Sequence, residues 1–340
     1  MANIAVIGAG VVGLSTAINI IESVPDARVT IYADRWSPDT LSDGAAGCFG
    51  PKLGGPMYPM GIELKRFKTW ARDSFQHYDA IAHSAESAEA GVFPVSGYRL
   101  YCRPENVAPY RALELMSNYK ELSKEEMKKF PPKYKVGFFF TTLIAECHRY
   151  LPWLLKRFKS KGGHVVQQKM TTLKQFCGQY DLVVNCTGIG ARELLGDTVL
   201  RPMRGQVMRV KAPWIKHYYF TDSDCYIYPC ADDVVVGGVK QYDEYSTVVN
   251  ERDKATILKN CLEMVPSLKD AEFKFDWVGL RPSRNPVRVE FEAIKYGDDT
   301  LKVVHNYGHG ASGIGLSWGT AVEATHLVMK ALGKFSTSKL

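Results

Sequence analysis

Three glycines near the start of the chain limit its fold more than any other feature. Gly8, Gly10 and Gly13 have the GxGxxG spacing, after an apolar run at 3–8 and before apolar residues with helical spacing. In such a unit the first glycine makes a tight turn, the second lets the backbone approach a pyrophosphate, and the third lets helix and strand pack closely. The helix N-terminus favours the anion. The sequence therefore predicts a mononucleotide-binding βαβ unit.

An acidic residue follows at the distance that this unit requires. The second expected strand, ARVTIYAD, ends at Asp34, which lies 21 residues after Gly13. A carboxylate about 20 residues beyond the glycines accepts a hydrogen bond from a ribose hydroxyl. Three turn glycines and a surface aspartate are the alternative, but the full strand, turn, helix and strand context favours dinucleotide binding.

Two later segments favour a flavin as part of the dinucleotide. Gly44, Ala45, Ala46 and Gly47 are small enough to let the backbone run beside a flat ring system. Further glycines at 309–315 precede a helix, whose N-terminus would stabilise negative charge on a reduced ring. The glycines alone do not distinguish FAD from a nicotinamide cofactor, and an NAD-dependent dehydrogenase, which would be colourless, stays open.

Apolar spacing divides the rest of the chain into α/β and β-rich parts. Helical spacing is present at 138–163, although Phe138, Phe139 and Phe140 at its start are expected in a core strand. Short strands with turns between them are expected from about 200 to 276. Near the end, a strand at 301–308, a glycine-rich loop at 308–315 and a helix at 316–333 are expected. Three α/β segments thus enclose other material, which predicts a discontinuous nucleotide-binding domain.

Composition and charge exclude several other classes. The net charge of +7 is spread along the chain without a basic arm, so nucleic acid is not an expected partner. No apolar run approaches the ~20 residues that cross a bilayer, so no membrane span is expected. The eight cysteines form no CxxC pair and no zinc-like spacing with histidine. Reduced thiols, an intracellular compartment and no metal site are therefore expected.

The chain ends in a tripeptide with a targeting meaning. Ser338, Lys339 and Leu340 match the signal that peroxisomal import receptors recognise at a free C-terminus. The sequence thus predicts this import receptor as a partner and the peroxisome matrix as the location.

Several segments in this order resemble one family, the FAD-dependent D-amino acid oxidases, which include D-aspartate oxidases. The resemblance spans nearly the whole chain and depends on GAGVVG, YADRWSPDT with DGAAG, VNCTG at 184–188, RGQVMRVKAPWIKH at 204–217, YIYP at 226–229, GLRPSRNPVRVE at 279–290 and HNYGHGASGIGLSWG at 305–319.

The resemblance implies non-covalently bound FAD and oxygen as electron acceptor. Hydride passes from Cα of a D-amino acid to the flavin, the imino acid hydrolyses to a 2-oxo acid and ammonia, and oxygen becomes hydrogen peroxide. The residues expected to bind FAD are Gly8, Gly10, Val11, Val12, Gly13, Asp34, Arg35, Thr40, Ser42, Ala45, Ala46, Gly47, Met170, Cys186, Thr187, Gly188, His309, Gly310, Ser312, Gly313, Ile314 and Gly315.

The resemblance also implies the domain organisation. We expect a discontinuous α/β FAD-binding Rossmann-like domain and an α+β substrate domain with a mainly antiparallel sheet. The expected boundaries are 1–56, 138–195 and 291–340 for the FAD-binding domain, and 57–137 and 196–290 for the substrate-binding domain. The sequence does not set the oligomeric state, and a homodimer is one arrangement to consider.

Three residues match the positions at which the family holds the substrate's backbone atoms. Arg281, in GLRPSRNP, would bind the α-carboxylate, because a planar guanidinium fixes both oxygens at once. Tyr226, the first residue of YIYP, would assist with its hydroxyl. The main-chain carbonyl of Ala311 would accept from the substrate amine. A surface ion pair for Arg281 and a strand aromatic for Tyr226 are the alternatives.

Two lysines suggest an acidic substrate. Lys240 stands where D-aspartate oxidases of the mammalian type carry an arginine, and Lys52 stands at another pocket-lining position. Two cations near one pocket are costly unless an anion joins them. The expected lid lacks the extra arginine of those enzymes and contains Asp222 and Asp224, which we expect to be solvated. Solvent-facing lysines and a neutral D-amino acid are the alternative.

Other functions remain as alternatives. A glycine or sarcosine oxidase would turn over a secondary amine without a side chain, and a flavin-binding partner protein would have lost turnover. His305 and His309 could be mistaken for general bases. Since hydride transfer from a neutral amine needs no enzymic base, we assign both to the flavin surroundings and predict no catalytic acid or base.

Overall fold

One continuous sheet runs through the protein. The computed structural model describes residues 1–50, 61–107, 113–223 and 225–334. Within these ranges the sheet has 14 strands in the order β4-β5-β3-β9-β10-β11-β8-β13-β14-β7-β1-β2-β6, with β12 paired to β8. The strands are Ala2–Ile7 (β1), Ala27–Ala33 (β2), Val92–Tyr101 (β3), Ser117–Glu121 (β4), Val136–Ala145 (β5), His164–Gln167 (β6), Leu182–Asn185 (β7), Arg201–Lys211 (β8), Tyr218–Thr221 (β9), Tyr226–Pro229 (β10), Val234–Gly237 (β11), Gln241–Tyr242 (β12), Glu272–Tyr296 (β13) and Asp299–His309 (β14).

One end of the sheet is parallel and is packed against helices. β1 pairs in parallel with β2 and β7, and β7 with β14. The helices of the protein, in the same ranges, are Val11–Ser23 (α1), Leu64–Ala82 (α2), Ser87–Ala90 (α3), Lys124–Met127 (α4), Cys147–Ser160 (α5), Ala191–Leu195 (α6), Glu251–Met264 (α7) and Gly313–Ala331 (α8). The largest apolar core lies between the parallel strands and α1, α2, α5 and α8. This is the predicted Rossmann-like part.

The other end of the sheet is mostly antiparallel and has two apolar faces. On one face, Ile257 and Cys261 of α7 pack against Met208 and Val236. The opposite face is aromatic and holds Phe220, Tyr218 and Tyr228, with Tyr226 and Trp277 at its edge. This second, aromatic face also contacts Ala46, which belongs to the expected flavin segment, and Cys48, which follows that segment.

The long strand β13 joins the two parts. Its residues 272–283 pair with β8, and its residues 288–296 pair with β14. The predicted fold class, an α/β part combined with a mainly antiparallel part, is confirmed. β13 runs across the predicted boundary at 290–291, and β5 begins two residues before the one at 138. The exact boundaries stay predictions.

Two local expectations differ from the structure. Phe138, Phe139 and Phe140 lie in a strand, as expected, but strand β5 continues to Ala145 and α5 begins only at Cys147, so the helix is shorter than the helical spacing over 138–163 indicates. The glycine-rich loop expected through Gly315 ends earlier. Gly310–Ser312 forms one tight turn and α8 begins at Gly313.

All eight cysteines are free, and none is exposed. Among the residues described, no cluster of metal-ligating side chains is present. No helix in those ranges has the length and apolar character of a bilayer span.

Candidate active site

The glycines of the first turn lie where the backbone has no room for a side chain. Gly8 has φ +109°, and a Cβ added there would lie 2.5 Å from the carbonyl oxygen of Cys186. A Cβ at Gly13 would lie 1.9 Å from the Gly8 carbonyl oxygen. Helix α1 therefore packs directly on the end of β1.

The start of α1 offers backbone donors to an anion. Its first turn, which includes Val11 and Val12, holds no acidic residue, and Gly10 precedes it in extended conformation. The Val11 amide donates to Ser42 Oγ at 3.1 Å, so Ser42 stands beside this helix end. A helix N-terminus with this composition suits a pyrophosphate.

Asp34 follows directly after β2, next to the glycine turn. Its side chain is about half exposed and lies 3.6 Å from Arg35 Nε. β1 and β2 are neighbours, and the Gly8 amide donates to the Tyr32 carbonyl oxygen at 2.8 Å. The carboxylate thus lies at the same sheet edge as the turn, where a ribose would bind. Met170 packs near this edge with Tyr32.

The expected flavin segment lies against β13. Thr40 donates from its amide and hydroxyl to Asp43, which fixes the turn Leu41–Gly44. A Cβ on Gly44 would lie 1.8 Å from Trp277 Nε1, and one on Gly279 would lie 2.5 Å from Leu41. The segment is therefore held close to the strand that carries Arg281.

Further residues of this segment are fixed by backbone contacts. The Ala45 carbonyl oxygen accepts from Arg209 Nη2 at 3.3 Å. Gly47 has φ +75°, and a Cβ there would lie 2.0 Å from the Ala145 carbonyl oxygen. Ala46 borders the aromatic face. Small residues are thus required where the chain crosses β5.

The residues after β7 complete the glycine turn. The Cys186 amide donates to the Ile7 carbonyl oxygen, and Thr187 donates to Asn185 through both its amide and its hydroxyl. Gly188, with φ +56°, begins the turn Gly188–Gly190. These residues follow the carboxyl end of a parallel strand adjacent to β1, which is the edge at which α/β sheets bind ligands.

The last expected flavin segment lies beside Arg281 along the sheet. Ser283 of β13 pairs with His309, the last residue of β14. The turn Gly310–Ser312 follows, with Ala311 exposed, and Gly313, Ile314 and Gly315 form the first turn of α8. The N-terminus of a long helix thus lies near the strand that carries Arg281.

Neither histidine of this region has the properties of a general base. Burial lowers the pKa of His309 to about 4, and its Nε2 lies 3.1 Å from Thr320 Oγ1. Burial and the nearby Arg288 lower the pKa of His305 to about 4, and its ring contacts Glu292 and Asn185. Both are buried and held by neighbours, which agrees with a structural role.

Arg281 and Tyr226 meet on the aromatic face. Arg281 Nη2 donates to the Tyr226 hydroxyl at 3.5 Å, and Nη1 donates to the Val239 carbonyl oxygen at 3.3 Å. A Cβ on Gly205 would lie 2.2 Å from the guanidinium, so that glycine makes room for it. Both side chains are half-buried. A fork of donors beside a hydroxyl is suited to a carboxylate.

Lys240 borders the same face. Its Nζ lies 5.9 Å from the centroid of the Phe220 ring, and the side chain is half-buried. The Phe220 and Tyr226 rings stack with their centroids 6.5 Å apart. Lys240 thus lies beside Phe220, whose ring stacks on that of Tyr226. Lys52 lies outside the described residues.

Asp222, an aspartate of the expected lid, makes hydrogen bonds within the protein. Asp222 accepts hydrogen bonds from the Cys102 amide and from Asn106, each at 2.8 Å. Asp222 therefore fixes the chain after β3. The expectation that it is a solvated loop residue was wrong. Asp224 lies outside the described residues.

Arg99 on β3 is a candidate site residue that sequence reasoning missed. Its guanidinium lies 5.1 Å from the centroid of the Phe220 ring and is buried. The available signal was an arginine inside an otherwise apolar strand, VSGYRLYC. That signal does not tell which face of which sheet the arginine occupies.

The arrangement as a whole fits FAD. A glycine turn without space for Cβ atoms, backbone amides at a helix start, a carboxylate at the next strand end and a segment of small residues beside the substrate strand are all present. These features agree with a pyrophosphate at the glycine turn, a ribose on one side of it at Asp34 and a flat ring on the other side.

A family model described as FAD dependent oxidoreductase, DAO, matches residues 3–327. The chain belongs to the D-amino acid oxidase family of FAD-dependent oxidoreductases. The human D-aspartate oxidase is 42% identical over 338 residues, which cover 99% of this chain and 97% of that protein. The D-amino acid oxidase of Dugesia ryukyuensis is 35% identical, covering 98% and 99%.

Solved structures of other flavoenzymes share the fold of this family member. Glycine oxidase from Bacillus cereus aligns with TM-score 0.75 at 19% identity, over 99% of this chain and 96% of that one. L-alpha-glycerophosphate oxidase from Mycoplasma pneumoniae, with FAD bound, aligns with TM-score 0.71 at 14% identity, over 96% and 94%. The family cofactor, FAD, is the one expected from the sequence.

Proposed function

We propose that this chain oxidises acidic D-amino acids, D-aspartate and D-glutamate, to the 2-oxo acid, ammonia and hydrogen peroxide. The main observation in support is that Arg281, Tyr226 and Lys240 lie together along one face of the sheet. The Arg281 guanidinium suits the α-carboxylate, and the Lys240 ammonium suits a side-chain carboxylate. The similarity to the human D-aspartate oxidase supports the same proposal.

The protein's own contribution is positioning. Arg281 and the Tyr226 hydroxyl bind the α-carboxylate and thereby fix the orientation of Cα. The carbonyl oxygen of Ala311 accepts from the substrate amine. Bound FAD supplies the two-electron acceptor for the hydride of Cα, and oxygen is then reduced to hydrogen peroxide. Water hydrolyses the released imino acid.

The aromatic face contributes by excluding water. Phe220, Tyr218 and Tyr228 pack around the site, and Trp277 closes the side towards the 41–47 segment. In such a poorly hydrated surface, charged hydrogen bonds to a carboxylate are stronger than in water. The substrate therefore binds where its charges are matched by fixed groups.

A neutral D-amino acid is the second candidate. The relative from Dugesia ryukyuensis bears the name D-amino acid oxidase, which favours it. Hydrogen peroxide formation with D-aspartate, D-glutamate, D-alanine, L-aspartate, glycine and sarcosine tests both. The proposal predicts the two acidic D-amino acids as the best substrates. Higher kcat/KM with D-alanine, glycine or sarcosine than with D-aspartate would contradict it.

We also propose that the protein acts in the peroxisome matrix. The support is the C-terminal tripeptide of Ser338, Lys339 and Leu340, which lies outside the described residues. A fluorescent protein fused to the N-terminus should enter peroxisomes, and the same fusion lacking the last three residues should not. Equal distribution of the two fusions would contradict the proposal.

A further inference from the structure

Arg99 of β3 is a buried cation for which no acidic partner is present in the described ranges. The residue is 6% exposed, and its Nε–H has no hydrogen-bond partner there. Two aromatic rings approach the guanidinium instead, Phe220 at 5.1 Å and Phe140 at 5.5 Å. Rings stabilise a cation but do not satisfy its N–H donors in the plane of the guanidinium. The group therefore retains unused hydrogen-bonding capacity.

The sheet register places Arg99 in line with the carboxylate anchor. Arg99 pairs with Phe220 of β9, and Phe220 pairs with Tyr226 of β10. Directly opposite residues in a sheet project from the same face. The row therefore runs from Arg99 through Phe220 to Tyr226, whose hydroxyl contacts Arg281.

Phe220 is the common neighbour of Arg99 and Lys240. The Lys240 Nζ lies 5.9 Å from the ring that the Arg99 guanidinium contacts at 5.1 Å. Two cations near one buried ring repel each other unless an anion joins them. A carboxylate matches a planar guanidinium with two parallel hydrogen bonds, and an ammonium adds a point charge.

We propose that Arg99 and Lys240 together bind the side-chain carboxylate of the acidic D-amino acid, so that Arg99 determines the preference for acidic over neutral substrates. This inference deepens the proposed function and rests on it. A substrate held by Arg281 and Tyr226 would place its side-chain carboxylate along the row Tyr226, Phe220 and Arg99. The carboxylate would then supply the acceptor that Arg99 Nε lacks among the described residues. A purely structural role would leave substrate preference independent of residue 99.

The test compares D-aspartate with D-asparagine, which has nearly the same shape but no side-chain charge. Initial rates of hydrogen peroxide formation in air give kcat and KM for the wild-type holoenzyme and for Arg99→Met, Lys240→Met and the double variant. Arg103→Met is the control, because Arg103 is an exposed arginine just after β3. It removes one positive charge away from the aromatic face.

We expect Arg99→Met to lower kcat/KM for D-aspartate about tenfold or more, mainly through KM. The value for D-asparagine should change less than about threefold. The double variant should lose less than the product of the two single losses, because both side chains bind one carboxylate. Arg103→Met should leave the ratio of the two substrates unchanged.

The outcomes separate this inference from the function on which it rests. If the wild type uses D-asparagine as well as D-aspartate, the proposed acidic preference fails, and the role of Arg99 fails with it. If the wild type prefers D-aspartate but Arg99→Met affects both substrates equally, or neither, only the inference about Arg99 fails.

A second variant covers the case in which methionine at position 99 prevents folding. Arg99→Lys keeps the charge but loses the planar fork. It should shift the ratio of D-aspartate to D-asparagine at least about threefold towards the amide. An unchanged ratio in yellow, folded Arg99→Lys enzyme would overturn the proposal.

Discussion

The Tyr226 hydroxyl lies 3.5 Å from Nη2 of Arg281, although the two residues lie 55 positions apart and on strands that do not pair. Gly205, Gly237 and Gly238 make this contact possible, because a Cβ on any of them would overlap one of the two side chains. The contact between Arg281 and Tyr226 therefore depends on the packing of the sheet and on the absence of side chains at these three glycines.

Replacement of Arg281 by lysine should impair all substrates equally. Lysine keeps the charge but loses the fork that binds both carboxylate oxygens. We expect kcat/KM to fall about 10- to 100-fold for D-aspartate and D-alanine alike, as for loss of one or two charged hydrogen bonds. Steady-state oxygen consumption measures both values. A loss confined to D-aspartate would place Arg281 at the side chain instead.

Replacement of Lys240 by methionine should be selective. The Lys240 ammonium lies beside the Phe220 ring, whereas the Arg281 guanidinium contacts the Tyr226 hydroxyl. Michaelis constants from initial rates should show a rise for D-aspartate of about tenfold, with little change for D-alanine. Equal changes for both substrates would show that Lys240 does not recognise the side chain.

Replacement of Gly13 by alanine should weaken FAD binding. The added Cβ would lie 1.9 Å from the Gly8 carbonyl oxygen, so α1 must move away from β1. Strain of this kind costs about 1–3 kcal/mol, and we expect the FAD dissociation constant to rise about tenfold or more. Equilibrium ultrafiltration with visible absorbance measures it.

Gly190→Ala is the matched control for Gly13→Ala. A Cβ on Gly190 would have its nearest neighbour at 3.6 Å, which is an ordinary contact. FAD binding by this variant should equal that of the wild type. If Gly13→Ala also binds FAD as tightly as the wild type, the close approach of α1 to β1 is not needed for the cofactor.

Replacement of Arg204 by methionine should destabilise the fold. Arg204 is buried and donates to Asp253 at 2.8 Å, to Gln206 at 2.8 Å and to Gln241 at 2.7 Å. Removing it takes the ion-pair partner from the Asp253 carboxylate and one donor from each of the side-chain oxygens of Gln206 and Gln241, which costs about 3–5 kcal/mol. Urea unfolding measures the loss.

Arg201 on the same strand provides the comparison. Its ion pair with Asp243 is exposed, so Arg201→Met should cost less than about 1 kcal/mol. Equal losses in the Arg201 and Arg204 variants would contradict the buried network.

Stability should fall in acid through His309. Burial lowers its pKa to about 4 in the folded protein, against about 6.5 in the unfolded chain. Between about pH 6.5 and pH 4, His309 is therefore protonated in the unfolded chain but neutral in the folded protein. The free energy of unfolding decreases as the pH falls through this range. From pH 7 to pH 5 the loss from this group is about 2 kcal/mol.

The His309→Asn variant isolates this contribution because asparagine does not titrate. Urea unfolding at pH 7 and pH 5, with the same added FAD, should show a decrease smaller by about 2 kcal/mol in the variant. An identical decrease in variant and wild type would mean that His309 is already charged in the folded protein at pH 5.

Local patterns predicted the parts of the site that depend on short segments. The spacing of Gly8, Gly10 and Gly13, with Asp34 after the next strand, predicted the βαβ unit, because its glycines and acidic residue lie at fixed distances along one chain. Resemblance added Arg281 and Tyr226, which the structure brings together. Helix starts were less predictable, since α8 begins at Gly313 within a glycine-rich segment, and the Ser312 side chain before it makes no capping hydrogen bond.

Long-range pairing explains what the sequence left out. Arg99 gains its position only because β3 pairs with β9 in a register that places it opposite Phe220. Asp222 resembled a solvated loop residue, but it accepts from Cys102 and Asn106, more than 100 residues away. No local pattern encodes either contact, because both depend on the strand order of the antiparallel part.

The proposed function requires that the bound flavin accepts electrons from acidic D-amino acids. The most direct measurement is the visible absorbance of the purified yellow protein without oxygen after addition of D-aspartate and, separately, D-alanine. We expect rapid bleaching by D-aspartate and much slower bleaching by D-alanine. Faster bleaching by D-alanine, or no bleaching by either, would contradict the proposed function.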